Sequence, residues 1–468
     1  MKDFLSEINN KILIFDGSKG YMLQKFGMKG GECPELWNVE HSDEVRKIYS
    51  LYKCAGSDVI QTNTFTGNRI NLDKYQMGER TYELNFEGAR IAREVMGEGG
   101  FVAASIGPIG KLMEPMGDLT FDKAYELFKE QVQAVVDGGV DIINFETFTD
   151  VSEMRAALLA AKDITNLPII CSISFESNGR TLMGTEPETA VLILKSLGAD
   201  IVGTNCSFGP ELMVNIVSKM HSAGAGLISV KPNAGLPEIA DGITVYKETA
   251  EKFANLATQF VKHGARLIGG CCGTTPEFIS AIRKEIDKIN VNKNHLNSDN
   301  VVNTGILCGI ISSGVKCINV NDDIKCMNIG KLSTKDDSEL FNKLISGDLS
   351  IVMDKVIDIS EEGYDCIHIT VDNAIEAIKI QQIASSNCKA YQLLAQVVNE
   401  AQGFLKEPFI LETKYPDVLE MALRVYKGRA GVIVSKQAGY VDCDASTGNK
   451  EDIEGIESIA RKYGALTI

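Results

Sequence analysis

The chain has 468 residues, of which 44% are apolar and 24% charged, a composition typical of a soluble globular protein with about two domains. Lysine and arginine number 47 against 63 acidic residues, so the formal charge is −16, which argues against a nucleic-acid partner because phosphates require a basic face. No apolar run approaches the roughly 18 residues of a membrane span, and the acidic N-terminus does not resemble a signal peptide, so we expect no membrane partner and a cytoplasmic location.

A unit of helix end, glycine, aspartate and short apolar run recurs in the first part of the chain. It occurs at residues 55–60, 138–143 and 197–202, and a fourth copy at 263–268 has Arg266 in place of the aspartate. Glycine after a helix suits a left-handed cap, and the apolar run suits a strand buried on both faces. Alternation of such strands with helical patterns predicts a parallel sheet with helices outside it.

The number of predicted strands indicates which kind of parallel sheet this is. Eight strands fall within about 280 residues, close to the roughly 250 residues of a typical (β/α)8 barrel. An open doubly wound sheet is the alternative, but no glycine-rich dinucleotide fingerprint follows the first strand. The fold class is therefore predicted as α/β, with a TIM barrel over residues 1–290. The strands are predicted at residues 12–15, 58–62, 101–105, 141–146, 168–175, 200–206, 226–231 and 266–271.

The chain has twelve cysteines, and in a cytosolic protein they are expected to be reduced, which argues against a disulfide framework. Nine of them stand singly, many in apolar runs, and are predicted to pack as small apolar residues. The exceptions are Cys206, at the end of the sixth predicted strand, and the adjacent pair Cys271 and Cys272, at the end of the eighth.

The three exceptional cysteines are predicted to meet at the C-terminal rim of the barrel. Strands six and eight flank strand seven, so the three sulfurs can converge above it. Three thiolates without a fourth protein ligand nearby predict a zinc site with an open position. An iron–sulfur cluster is the alternative, but it usually requires four cysteines in spaced motifs.

A zinc ion with three thiolate ligands carries net negative charge, which makes it a poor generator of hydroxide. It is better suited to binding a substrate thiol and holding it as a thiolate at neutral pH. The expected chemistry is attack of that thiolate on an electrophilic carbon, such as an activated methyl group.

Four short motifs carry a resemblance to a known family. Residues 16–20 (DGSKG), 61–65 (QTNTF), 230–235 (VKPNAG) and 269–273 (GGCCG) resemble the zinc-dependent homocysteine S-methyltransferases. The resemblance spans about residues 1–290 and keeps the family's order. Within the family, the chain looks most similar to the N-terminal half of cobalamin-dependent methionine synthases.

The resemblance implies that Cys206, Cys271 and Cys272 bind catalytic zinc and that the sulfur of homocysteine takes the open position. It also implies contacts with the amino and carboxylate groups of the substrate, for which a carboxylate facing an α-ammonium is the natural partner. The candidates for substrate binding are Asp16, Gly17, Asn63, Glu146, Ser174 and Asn233.

Two of these candidates have a structural alternative. Glu146 could form an ion pair with a lysine or arginine of the barrel, and Asp16 could cap the helix that begins near Gly20. Lys19 and Tyr21 depart from the small residues common in the family at these positions, which predicts a differently shaped entrance.

The second half of the chain is predicted as a separate, smaller domain. Residues 291–304 are asparagine-rich and are interpreted as a linker, and residues 305–468 as an incomplete α/β barrel-like domain. This region resembles the opening part of a pterin-binding barrel, most strongly at residues 416–426. The family's G-E-R-I-N-P motif is absent near residues 329–332. The positions where that family contacts pterin carry His368, Thr370, Glu412 and Val434.

Because these contacts are lost and about five strands cannot close an eight-stranded barrel, the second domain is predicted not to bind folate. Its open strand edges predict a docking platform or a homo-oligomer interface, and the alternative is a remnant that keeps only a packed core.

The predicted function is methyl transfer to homocysteine to give methionine. No Asp-x-His-x-x-Gly cobalamin signature occurs in the sequence, so a methylcobalamin donor is expected in trans, on a separate corrinoid protein. The alternatives are a free donor such as S-methylmethionine or a betaine, and a zinc-binding scaffold without turnover.

Overall fold

The structure is a computed structural model. It describes residues 3–240, 243–289, 309–320, 327–381, 387–434 and 450–468. The chain divides into two compact units, of which the first holds an eight-stranded sheet and the second a five-stranded sheet. The predicted linker at 291–304 lies outside the described residues, and the domain limits 1–290 and 305–468 stay predictions.

The first unit is a parallel eight-stranded barrel, which confirms the predicted fold class. Its sheet has the order β1-β10-β7-β6-β5-β4-β3-β2, and Phe15 forms a parallel bridge with Val59 that joins the first strand to the second. The strands β8 and β9 form a separate antiparallel hairpin, which the sequence patterns did not predict. The bounds of the ten strands are β1 Leu13–Ile14, β2 Val59–Gln61, β3 Phe101–Ile106, β4 Ile142–Phe148, β5 Ile169–Ile173, β6 Ile201–Asn205, β7 Ile228–Lys231, β8 Pro237–Ala240, β9 Ile243–Tyr246 and β10 Ala265–Ile268.

Helices surround the barrel, and the first of them belongs to the core at its N-terminal end. This helix, Phe4–Asn10, is capped by Asp3 and buries Phe4 and Ile8 in one cluster with the first residues of several barrel strands. The ring of Phe4 meets that of Phe101 edge to face, with 5.2 Å between centroids. The other α-helices of this part of the chain are Lys19–Lys25, Trp37–Glu40, Ser42–Cys54, Arg69–Asp73, Thr81–Met96, Phe121–Asp137, Val151–Ile164, Pro187–Ser196, Pro210–Ser222, Ala250–Lys262 and Pro276–Ile286.

The aspartate of the repeating unit has a structural role in the sheet. Asp58, Asp141 and Asp200 each stand just before a strand, and each carboxylate accepts a hydrogen bond from a backbone N–H of the preceding barrel strand. The three distances are 2.9, 2.7 and 2.8 Å. In each case the aspartate's own N–H donates to the same strand, so the pair of bonds fixes the register where the strand begins.

The second unit contains a parallel sheet of five strands in sequential order, the arrangement of five consecutive strands of a (β/α) barrel. A two-stranded hairpin precedes it, and Asp365 repeats the aspartate bond of the first unit by accepting from the N–H of Asn328 at 2.9 Å. The strands are β11 Ile310–Ser312, β12 Cys317–Asn319, β13 Ile329–Ser333, β14 Cys366–Thr370, β15 Phe409–Leu411, β16 Gly431–Val432 and β17 Leu466–Thr467. The helices are Ser338–Ile345, Ser350–Glu362, Asp372–Gln381, Asn387–Gln402, Pro416–Val425 and Lys450–Lys462.

Among the described residues, no helix combines the length and the apolar character needed to cross a membrane.

Close packing between β5, β6 and β7 requires a glycine at position 203. A Cβ atom there would lie 2.5 Å from the carbonyl oxygen of Ser229 and 2.7 Å from the hydroxyl of Ser172. We expect Gly203→Ala to lower the free energy of unfolding by about 1–3 kcal/mol, because a packed interior tolerates extra atoms poorly. The measurement is urea denaturation, with Gly30→Ala as the control because a Cβ at Gly30 meets nothing within 4 Å. Equal stability of the two variants would contradict this packing.

Candidate metal centre

Three cysteine sulfurs converge at the C-terminal rim of the barrel. The Sγ atoms of Cys206, Cys271 and Cys272 all lie within 4.8 Å of one another, and those of Cys206 and Cys272 are 3.9 Å apart. None of the three forms a disulfide, and all are half-buried. Because β7 lies between β6 and β10 in the sheet, the two loops that carry these sulfurs reach across a single strand.

Cys206 is held in a strained backbone conformation. It follows β6 with φ of 64°, and Ser207 follows with φ of 63°, a left-handed region that residues with a Cβ rarely adopt. The N–H of Cys206 donates to the carbonyl of Lys231 at 3.1 Å, which ties the turn to the end of β7. Strain of this kind persists only where the surroundings enforce it, and it concentrates at functional sites.

The segment Pro232–Ala234, which follows β7, forms hydrogen bonds with the other two cysteines. The N–H of Cys271 donates to the carbonyl of Pro232 at 2.8 Å, and the N–H of Cys272 donates to Oδ1 of Asn233 at 3.0 Å. The carbonyl of Cys272 in turn accepts from the N–H of Ala234 at 2.9 Å. Asn233, a predicted substrate contact, therefore lies against the cysteine cluster and orients it.

The three thiols share protons unequally because they are so close. Hydrogen bonds from Cys271 and Cys272 stabilise the thiolate of Cys206 and lower its pKa. The pKa of Cys271 is raised well above its ordinary value by its hydrogen bonds to the neighbouring sulfurs and by burial. One sulfur thus ionises readily, whereas ionisation of all three requires a positive charge among them.

This donor set fits zinc. Zinc takes thiolate ligands in tetrahedral sites, and three protein ligands with a free fourth position characterise its catalytic sites. The amide of Asn205 lies 3.7 Å from the sulfur of Cys271 and donates to Thr147 at 2.8 Å, so neighbouring polar groups orient the ligands as well.

The cysteines open onto a cavity of about 450 Å³, within the roughly 300–1,000 Å³ of small-molecule sites. Six of the predicted site residues line it, namely Cys206, Cys271, Cys272, Gly17, Asn63 and Glu146. A side chain at position 17 has no room, because its Cβ would lie 2.7 Å from the carbonyl oxygen of Thr274. Other lining residues that the sequence patterns did not single out as ligand contacts include Lys19, Tyr21, Gln61, Ser105 and Tyr246.

Tyr246 lines the cavity, although the sequence patterns did not predict it as a site residue. It ends β9, makes an edge-to-face contact with Tyr21 at 5.9 Å between centroids, and has its pKa raised to about 12 by burial and by the nearby cysteines. A signal was present in the sequence, because Asp241-Gly242 before the run Ile243–Tyr246 is a strong hairpin pattern.

Glu146 forms an ion pair with the buried Lys231, which is the structural alternative to a substrate contact. Its carboxylate accepts from the ammonium of Lys231 and from the hydroxyl of Ser105. The carboxylate is nonetheless one of the groups that line the cavity, so the ion pair and a substrate contact are compatible.

Asp16 is fully buried and is not among the described residues that line the cavity. Its carboxylate accepts from the ammonium of Lys19 and, at 3.0 Å each, from the backbone and side-chain nitrogens of Gln61. The cap of the helix Lys19–Lys25 is Ser18, so the helix-capping alternative for Asp16 is wrong. Burial raises the pKa of Asp16, against the attraction of Lys19.

Two further candidates have their polar groups engaged by the protein. The hydroxyl of Ser174 donates to the carbonyl of Asn205 at 2.7 Å, which braces the turn before Cys206. The amide of Asn63 donates to Pro34 at 2.7 Å and to Asn38 at 3.0 Å, which joins two loops at the cavity wall. Their direct contact with a substrate stays a prediction.

Comparison with known proteins gives a consistent result for the first unit. A family model described as homocysteine S-methyltransferase matches residues 13–286. The methionine synthase of Mycobacterium tuberculosis is 30% identical over 307 residues, which are 61% of this chain and 26% of that protein. The methionine synthase of Mycobacterium leprae is 29% identical over 308 residues, 62% of this chain and 25% of that protein. The chain thus spans about a quarter of the length of these relatives.

Solved structures share the fold of this part of the chain. The metallated form of the homocysteine methyltransferase MmuM from Escherichia coli has a TM-score of 0.51 at 21% identity, over 60% of this chain and 98% of that one. Its oxidized form has a TM-score of 0.50 at 23% identity, over 60% of this chain and 97% of that one. At such identities the likeness concerns the fold alone.

Asn233 offers a direct test of how the cluster is oriented. We expect Asn233→Ala to weaken zinc binding by roughly 10- to 100-fold, as the loss of groups that orient metal ligands does elsewhere. The measurement is chelator competition on the purified chain. The control is Asn215→Ala on the exposed face of the helix Pro210–Ser222. If Asn233→Ala and Asn215→Ala bound zinc equally well, the orienting role would be wrong.

Proposed function

The chain belongs to the homocysteine S-methyltransferase family, and from that premise we propose that it moves a methyl group to the sulfur of homocysteine to give methionine. The observation that carries the proposal is the approach of the Cys206, Cys271 and Cys272 sulfurs within 4.8 Å of one another beside a cavity of small-molecule size.

We propose that these three cysteines hold zinc. When bound, zinc supplies the positive charge that keeps the homocysteine sulfur ionised at neutral pH. In the transfer, a sulfur–carbon bond forms as the bond between the methyl carbon and the donor breaks, and the thiol proton passes to solvent.

The protein's own residues position the substrate for this reaction. Glu146 presents an anionic group to the cavity, a suitable partner for the α-ammonium of an amino acid. Asn233 and the carbonyls of Pro232 and Lys231 keep the cysteine loops together, so that the sulfurs stay on one side of the bound thiol. Such positioning lowers the barrier by fixing the reacting atoms close to each other.

The donor is proposed to be a methylcorrinoid carried by another protein, because the relatives of this chain are methionine synthases. Free S-methylmethionine or a betaine remains the second candidate. A zinc scaffold without turnover is less favoured, because it would not need a charged cavity beside the cysteines.

The second unit is proposed not to bind folate. Two of the positions that would contact a pterin carry buried residues, His368 and Glu412, whose Nε2 and Oε2 atoms lie 2.8 Å apart. The cytoplasmic location and self-association through this unit stay predictions.

Removal of one sulfur tests the metal-based mechanism. We expect Cys272→Ala to lose bound zinc and homocysteine methylation while keeping its far-ultraviolet circular dichroism, because the residue lies on a loop outside the barrel core. Zinc is measured by elemental analysis and methionine by chromatography. Cys54→Ala, at an exposed cysteine outside the cluster, should retain both. Wild-type turnover by Cys272→Ala would falsify the mechanism.

A panel of methyl donors tests which donor the chain uses and whether the second unit binds folate. With homocysteine and the zinc-loaded chain, we expect methionine from methylcobalamin and none from methyltetrahydrofolate, because the groups that would hold a pterin are absent. Calorimetric titration with methyltetrahydrofolate should show no binding at micromolar concentration. Micromolar binding would overturn the assignment of the second unit, and turnover with only S-methylmethionine or a betaine would replace the donor.

A further inference from the structure

Two buried ion pairs lie beside the cysteine cavity, and each presents only one of its two charges to it. In the first pair the carboxylate of Asp16 lies behind and the ammonium of Lys19 faces the cavity. In the second the ammonium of Lys231 lies behind and the carboxylate of Glu146 faces the cavity. Of the four charged groups in these two pairs, the cation Lys19 and the anion Glu146 therefore face the cavity.

Exposure separates the two members of each pair. The side chain of Lys19 is 11% exposed and that of Asp16 is 0% exposed. The side chain of Glu146 is 8% exposed and that of Lys231 is 1% exposed. The inner member of each pair is thus inaccessible to a ligand, and its charge acts by holding the outer member in place.

Gln61 couples the two pairs. Its amide nitrogen donates to Asp16 at 3.0 Å, and its amide oxygen accepts from Lys231 and, at 2.8 Å, from Asn144. Lys231 also lies 4.6 Å from the ring centroid of Phe15, a favourable position for a cation. With their partners fixed in this way, Lys19 and Glu146 are held at set positions on the cavity wall.

Lys19 has bonding capacity left for a ligand. Its ammonium, which has three N–H donors, bonds to Asp16 and, at 3.3 Å, to the carbonyl of Gly17. Glu146 accepts from Ser105 and Lys231, which leaves lone pairs on both of its oxygens. An additional carboxylate can approach the first group and an additional ammonium the second.

We propose that Lys19 is a substrate-binding residue that takes the α-carboxylate of homocysteine, while Glu146 takes the α-ammonium and Asp16 acts as the positioning residue for Lys19. This inference rests on the proposed function and assigns the recognition of the amino-acid part of the substrate. A thiol that carries both an α-carboxylate and an α-ammonium can bind Lys19 and Glu146 at once. A thiol that lacks one of these groups leaves Lys19 or Glu146 without a ligand partner.

The test compares two thiols on the zinc-loaded full chain by isothermal titration calorimetry. Homocysteine carries the carboxylate, and 3-mercaptopropylamine has the same thiol and ammonium without it. For Lys19→Met, we expect the preference for homocysteine over 3-mercaptopropylamine to fall by roughly 10- to 100-fold, the usual effect of losing a hydrogen bond to a charged group. The dissociation constant of 3-mercaptopropylamine should change little.

Two further variants guard against a general structural effect. Lys19→Arg keeps the charge and should retain the preference for homocysteine. The double variant with Asp16→Asn and Lys19→Met removes both charges of the pair, so it leaves no unpaired buried charge, and it should lose the preference as the single variant does. Lys25→Met, at the other end of the same helix and outside the cavity, is the control and should behave as wild type.

The outcomes separate the two proposals. If Lys19→Met and the double variant keep the wild-type preference, or lose affinity equally for both thiols, the assignment of Lys19 is overturned while the proposed function stands. If the wild-type chain with zinc binds neither thiol, the proposed function fails, and the assignment of Lys19 fails with it.

Discussion

The hydrogen bonds between the segment Pro232–Ala234 and the two cysteine-bearing loops determine the geometry of the candidate metal centre. This segment follows β7, the strand between β6 and β10, so it lies next to both loops. It bonds to Cys271 and Cys272 through backbone groups and through the amide of Asn233, while Lys231, just before it, bonds to Cys206. Each such bond contributes about 0.5–1.5 kcal/mol. The bond from Cys206 to Lys231 ties the left-handed turn at Cys206 to the end of β7.

The barrel allows charged groups to be buried beside this centre. An unpaired charge in a protein interior is strongly unfavourable, and here Asp16 pairs with Lys19 and Glu146 pairs with Lys231. The groups that hold these two pairs in place come from different strands, with Asp16 after β1, Gln61 in β2, Glu146 in β4 and Lys231 at the end of β7. The same closed sheet that brings the sulfurs together therefore also sets the spacing of the charges that face the cavity.

Much of this architecture could be predicted from the sequence, for reasons visible in the structure. The repeated aspartate marks the start of β2, β4 and β6 because its carboxylate bonds to the preceding strand of the sheet. The fourth copy, with Arg266, lacks this bond, yet its apolar run is sufficient to predict β10. The approach of Cys206 to Cys271 and Cys272 follows from strand order alone, since both loops emerge at the same end of a parallel sheet.

Other features depend on contacts that no local pattern encodes. The burial of Asp16 behind Lys19 depends on the packing of Gln61 from another strand, so the sequence predicted an acid at the cavity wall where the structure has a lysine. The pairing of Glu146 with Lys231 joins residues 85 positions apart. The hairpin of β8 and β9 was not predicted, because it lies outside the barrel sheet and the apolar runs that indicate barrel strands do not indicate it.

In the proposed metal centre, three sulfurs of the protein bind one zinc ion and leave a position for the sulfur of the substrate. X-ray absorption spectroscopy at the zinc edge, on the purified chain with and without homocysteine, measures this most directly. We expect three sulfur neighbours of zinc in the free protein and four after homocysteine is added. A sulfur count that homocysteine does not change, or a zinc ion bound mainly by nitrogen and oxygen, would contradict it.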